Sequence, residues 1–154
     1  LINVPEDEVN LKRVDSLLFV LLNHSIYSQS ENALNDLQSG RLRILKNKQL
    51  KDLLNKWTRL MKSKDENYQG LDMHIENIMV PYLYKHYAFK DIDQFGVLGW
   101  EEGTKLKVDK MNIFKDIEFE NILDDLLYRN QIYIDKLDEI EVLIERIVLE
   151  TKPL

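Results

Sequence analysis

The feature that most restricts what this chain can fold into is one long seam. Leu50, Leu54, Trp57, Met61, Lys64, Tyr68, Leu71, Ile75, Ile78 and Tyr82 are spaced alternately four and three apart. That spacing keeps side chains on one stripe of an α-helix. Two helices joined by a loop would rarely hold phase through the polar stretch from Lys62 to Asn67. The pattern therefore predicts one helix over about 48–87, capped by Asn47, roughly 60 Å long at ~1.5 Å per residue. Gly70 weakens such a helix by about 1 kcal/mol relative to Ala. Pro81, which has no N–H, is expected to kink its last turns.

A second seam repeats the pattern: Phe119, Leu123, Leu126, Asn130, Tyr133, Leu137, Ile140, Ile144 and Ile147. It predicts a helix over about 117–150, with Asp116 as its cap and Pro153 just beyond its end. Each seam needs a partner to hide it from water, and the 88–115 connector is long enough to bring the chain back antiparallel. Charge gives the same answer. Arg41, Arg43, Lys46, Lys48, Lys51, Lys56, Arg59, Lys62 and Lys64 make the start of the first seam basic, with Asp52 as an exception. Asp135, Asp138, Glu139, Glu141, Glu145 and Glu150 make the end of the second acidic. Antiparallel pairing sets these stretches side by side, selecting orientation more than adding stability. Trp57, Leu71, Ile75, Leu126, Leu137 and Ile140 are expected to be buried. The default reading of Lys64 is that its stem lies along the seam and its ammonium snorkels out. Asn130 either fixes register through a hydrogen bond or sits at a solvated edge.

Shorter elements precede the long pair. Leu11, Val14, Leu18 and Leu21 predict a helix from about Glu6 to Asn23, its stripe widened by Leu17 and Leu22. A short helix follows, with Ser30 as cap, Ala33, Leu34 and Leu37 inside, and Gly40 past its end. The connector carries Gly96, Gly99 and Gly103 and reads mostly as loop. Alternation over 105–109 leaves room for a short strand paired with 95–100. The fold class is thus all-α: a helical bundle centred on an antiparallel pair of long helices, forming a single helical domain over 1–154.

Composition narrows function by exclusion. With 0 Cys the chain has no disulfide, thiolate metal site or cysteine nucleophile. A net charge of −6 argues against a nucleic-acid binder, whose footprint is a basic face. None of His24, His74 and His86 has a carboxylate three residues before it, so the Glu-x-x-His pair of di-iron bundles is missing. No His-Glu-x-x-His zinc motif occurs. Gly96-Val97-Leu98-Gly99 lacks the Gly-Lys-Ser/Thr of a phosphate loop. Asp124-Asp125 and Asp138-Glu139 read as solvated helix faces. Tyr68, Tyr82, Tyr84, Tyr87, Tyr128 and Tyr133 lie on or beside the seams and read as core, with a ligand pocket as the minority reading. No catalytic, cofactor-binding or metal site is expected.

Some stretches are familiar in combination. Ala33-Leu34-Asn35-Asp36-Leu37-Gln38-Ser39-Gly40-Arg41-Leu42, then Asn47 and Leu50, carry the pattern first. Val80-Pro81-Tyr82-Leu83 with Lys85-His86, Gly99-Trp100 with Lys107-Val108-Asp109, and Phe119-Glu120-Asn121 continue it. Together they resemble an uncharacterised family of bacterial single-pass membrane proteins over about 16–150. The resemblance implies an N-terminal transmembrane helix upstream, preceded by basic residues, and a helical domain on the periplasmic side of the inner membrane. Leu1 in place of Met fits a piece of such a protein. The longest apolar run, Leu17 to Leu22, is far shorter than the ~20 residues of a membrane span. The expected function is a non-enzymatic extracytoplasmic scaffold or sensor domain acting through protein interaction, possible as a homo-oligomer. The alternative is a small-molecule sensor with its site between helices.

Overall fold

The computed structural model describes residues 9–23 and 46–151. Within them the fold is all-α, with no strand among the described residues. The helices are α1 (Leu11–Leu22), α2 (Lys48–His74), α3 (Val80–His86), α4 (Phe89–Ile92) and α5 (Ile117–Glu150). The short helix expected after Ser30, with Gly40, His24, Arg41 and Arg43, lies outside the described residues.

Helix ends sit where side chains can supply caps. Asn10 Oδ1 accepts from the Arg13 N–H at 3.1 Å, so α1 begins at Leu11; the start near Glu6 that the periodicity suggested lies outside the described residues. Asn47 Oδ1 accepts from the Leu50 N–H at 3.1 Å. Asp116 Oδ1 accepts from the Glu118 N–H at 2.9 Å. Each cap satisfies a donor that the first helical turn leaves without a partner.

The first seam is one continuous helix through Lys62–Asn67, as its phase requires. Its phase changes later. Ile75–Met79 is a π-helical turn between α2 and α3, closed by a bond from the Val80 N–H to the Ile75 carbonyl five residues back. Pro81 follows at once. A proline clashes with the carbonyl four residues before it and gives that carbonyl no donor. A widened turn ahead of it relieves both problems without breaking the helix. The extra residue moves the buried stripe forward by one position. Met79 is 0% exposed and Ile78, the seam residue expected from the heptad, is 45% exposed.

The chain divides into two compact units, one of Leu1–Ile26 with Asp72–Leu127 and the other of Tyr27–Leu71 with Tyr128–Leu154. In the first, Val14 and Leu18 of α1 pack with Met79, Leu83, Ile92, Ile113 and Phe119 in one core. His74 meets Ile122 and Asp125, while Tyr82 further along meets Asp116 and Phe119. Residue numbers fall on α5 as they rise on the opposing helix, which is antiparallel pairing. In the second unit the same order holds: Gln49 bonds Glu150 at 2.6 Å, and the Tyr68 and Tyr133 rings lie 5.7 Å apart. Lys56 shares a surface depression with Asp135, Asp138 and Glu139, the juxtaposition of basic and acidic stretches that the charge pattern implied.

Leu71, Ile75, Leu126 and Ile140 are buried, whereas Trp57 and Leu137 are only half-buried. Leu143 is buried where the heptad pointed to Ile144. A straight helix advances 3.6 residues per turn, so a 3.5-residue repeat drifts and its seam slides to a neighbouring position after several turns. Asn130 is exposed, which selects the solvated reading. Lys64 does not snorkel. Its side chain is 2% exposed, and its ammonium lies 2.6 Å from an Asp65 carboxylate oxygen.

The shifted seam makes a direct prediction. In urea unfolding, Met79→Ala should cost about 2–5 kcal/mol as a core truncation, and Ile78→Ala should stay within about 0.5 kcal/mol. A heptad running unshifted through Pro81 would reverse that order.

Candidate functional site

The densest polar chemistry in the first unit is a buried ion cluster that no local pattern announced. Asp15 lies on α1 beside Val14 and is itself buried. Lys110 opens the 3₁₀ turn Lys110–Lys115. Its ammonium donates to both Asp15 oxygens at 2.8 Å and lies 2.7 Å from Asp91 Oδ2. The Tyr87 hydroxyl donates to Asp15 Oδ1 at 2.7 Å, and the Tyr87 ring centroid lies 5.2 Å from the ammonium. The Thr104 N–H donates to Asp91 Oδ1 at 2.5 Å. One cation thus serves two carboxylates, and a phenol and an amide occupy lone pairs that the cation leaves.

Each group is placed by a different element. Tyr87 is the residue at which α3 ends. Asp91 is buried on α4. Thr104 comes from the glycine-bearing connector. Gly103 is needed here, since a Cβ at that position would sit against the Asp91 carboxylate. Burial pushes the Asp91 carboxyl up, but the Lys110 ammonium, the Thr104 amide and the Lys90 charge outweigh it and hold it below the ordinary value. Burial, then the bond to Asp15, pushes the Tyr87 hydroxyl well up. The phenol therefore stays protonated as a donor. Each charged or hydroxyl group of the set already has a partner within it. Its chemistry is that of a clamp.

What the clamp holds is apolar and exposed. Between Asp91 and Lys110 the chain makes a 3₁₀ turn (Asp93–Phe95) and a tight turn in which the Gly99 N–H meets the Gly96 carbonyl at 3.1 Å. Gly99 sits at φ +52°, where side chains are strained. No strand pairing forms over 95–100 and 105–109, because that turn and the 103–104 approach to Asp91 take the backbone elsewhere. Val97 is fully exposed, and Leu98, Trp100 and Leu106 are also exposed. Lys90 lies over the Trp100 ring at 5.5 Å. At the base, Gly96 packs so close to the Phe19 ring of α1 that a Cβ would collide with it.

The residues weighed from sequence fall apart spatially. His74 is buried, with Nε2 3.1 Å from the Ile122 carbonyl and Nδ1 2.9 Å from Asp125 Oδ2. It ties the long helices together in the first unit, and so does Asp125. His86 stacks on Tyr82 at 4.4 Å. The Tyr82 hydroxyl donates to Asp116 Oδ2 at 2.7 Å, and Tyr82 stacks on Phe119 at 5.6 Å. Tyr84 and Tyr128 are exposed, unlike the core positions expected for them. Asp138 and Glu139 line an open depression in the second unit. No group of three or more histidines and carboxylates able to hold a metal occurs among the described residues. No protein family, curated protein or solved structure matches the chain.

Two outcomes test the clamp. Lys110→Met leaves two buried carboxylates without their cation and should cost about 3–5 kcal/mol in denaturant unfolding. The second concerns pH. A carboxyl held low in the folded state stabilises fully above the ordinary value of 3.8 and loses that contribution as pH falls through its depressed value. Thermal melts from about pH 6 down to about pH 2 should therefore show a shallower acid loss for Asp91→Asn than for the parent chain.

Proposed function

We propose that this chain is a non-enzymatic scaffold or sensor domain that acts by binding another protein, on the periplasmic side of a membrane to which an upstream segment anchors it. The observation that carries the reading is the connector: exposed Val97, Leu98, Trp100 and Leu106 mounted on a buried ion cluster. An exposed tryptophan beside exposed aliphatic side chains is the kind of anchor that protein interfaces bury, and the exposed Glu101, Glu102, Lys105 and Lys107 around it suit a polar rim. A preformed tip also spares a partner the entropy of ordering a loop. The anchor and the location rest on the resemblance to single-pass membrane proteins. No helix among the described residues is long and apolar enough to cross a membrane.

The test is recovery of a partner from native membranes with the parent domain and with a Val97→Ser/Leu98→Ser variant as baits. Both substitutions are on exposed positions, so melting temperature should not change. A specific partner captured by the parent and lost by the variant supports the proposal. Equal recovery by both baits, or no specific partner, contradicts it.

A further inference from the structure

We propose that the second unit docks on a second copy of this chain. The two α2–α5 hairpins meet face to face as a two-fold dimer in which α2 of each copy lies on α5 of the other. The surface belongs to the second unit alone, so it stands independently of the connector tip and of the partner proposed for that tip.

Two surface depressions that meet at Lys56 mark the face. One, of about 490 Å³, takes Asp138, Glu139 and Val142 of α5 into its lining. The other, of about 640 Å³, runs along α2 past Lys48, Leu53 and Arg59. Each helix carries an apolar row here. Leu60 stands seven residues after Leu53, and Leu149 seven after Val142, so each pair shares one stripe of its helix. Leu53 and Leu60 are half-buried, while Val142 and Leu149 are 50% and 62% exposed. The seam between the helices is also incompletely hidden, since Leu50, Leu54, Trp57, Leu137 and Ile147 are half-buried. In the first unit Ile75, Met79 and Leu83 are closed to water. The hairpin of the second unit therefore keeps apolar surface on which a further layer of helices can pack.

Charge identifies that layer. On the α2 side the exposed Lys48, Lys56 and Arg59 outnumber Asp52. On the α5 side the exposed Asp135, Asp138 and Glu139 outnumber Arg146. A basic row and an acidic row thus lie side by side, and the face is complementary to itself. A two-fold axis along the helices sets each basic row on the other copy's acidic row. Such an axis preserves height, and Lys56 already lies level with Asp138 and Glu139 within one chain. An axis across the helices would set α2 on α2 and bring like charges together. Closed two-fold pairing is the commonest assembly of identical chains, and unlike rim charges fix its orientation more than its strength. The face covers about 20 Å of each helix at ~1.5 Å per residue, so the interface lies at the low end of the size range and the dimer is weak.

The experiment is sedimentation equilibrium of the whole chain from about 1 μM to about 1 mM at about 0.15 M salt. The mass should rise from 18.3 kDa toward twice that value. Val142→Ser/Leu149→Ser, at exposed positions, should weaken the dimer at least about tenfold and leave the melting temperature of the dilute monomer unchanged. Lys56→Glu/Arg59→Glu and Asp138→Lys/Glu139→Lys, each with the helicity of the parent chain, should weaken it by a similar factor. All four charge changes in one chain should restore it, because unlike rows then face each other again. A mass that stays at 18.3 kDa throughout, whatever else covers the face, would overturn the proposal. So would a dimer indifferent to the Val142 and Leu149 changes or to either charge reversal, or a fourfold charge swap that dimerises no better than the double variants.

Discussion

The Lys110 ammonium, set between Asp15 and Asp91, is the contact on which the first unit depends. Removing three charges from water is costly, and the cost is offset only when geometry and hydrogen bonding are close to complete. Here the ammonium's three donors reach three carboxylate oxygens, and Tyr87 and Thr104 supply further donors. Lysine suits the position because it is a compact charge with donors that can point to separate acceptors, whereas a guanidinium fork would favour one carboxylate. The cluster joins α1, the end of α3, α4 and both halves of the connector. Those elements also share one apolar core through Val14, Leu18, Leu83, Ile92 and Ile113, and directional ion pairing fixes how they are arranged around it.

The long helices form the frame around which this happens. In each unit taken by itself they run antiparallel; in the first, His74 ties them together through Ile122 and Asp125, and in the second Lys64 is buried in the seam with Asp65 of its own helix as an ion partner. The π turn before Pro81 belongs to the same frame. It turns Met79 and Leu83 inward beside Tyr82, delivering the Tyr82 hydroxyl to Asp116 and placing Tyr87 over Asp15 at the point where α3 ends. A proline that would otherwise break the helix instead sets the phase that the buried cluster uses.

The long helices and their caps were legible from sequence because their signals are local. Periodicity repeats over many turns, and Asn47 and Asp116 cap helices through bonds to residues three and two positions away. The clamp was not legible. Asp15, Tyr87 and Lys110 meet across separations of 72 and 95 residues, and a single aspartate on an amphipathic helix looks like a solvated residue. Pro81 did signal a disturbance, but a kink and a π turn answer the same steric problem, and only the second moves Ile78 out of the core. Lys64 misled for a related reason. A lysine in a seam ordinarily reaches for water, and its burial with Asp65 as an ion partner is visible only once the side chains are placed.

The central claim is that the ion cluster holds the connector rigid, so that its apolar tip is presented and not merely loose. Amide hydrogen exchange measured residue by residue tests this most directly, since protection reports local opening. Thr104, whose N–H is given to Asp91, should exchange at least about a hundredfold more slowly than Val97 in the parent chain. In Lys110→Met its rate should approach that of Val97, while amides in the middle of α5 keep their protection. A Thr104 amide that exchanges as fast as Val97 in the unmodified protein would show that the clamp does not hold the connector, and the account would fail.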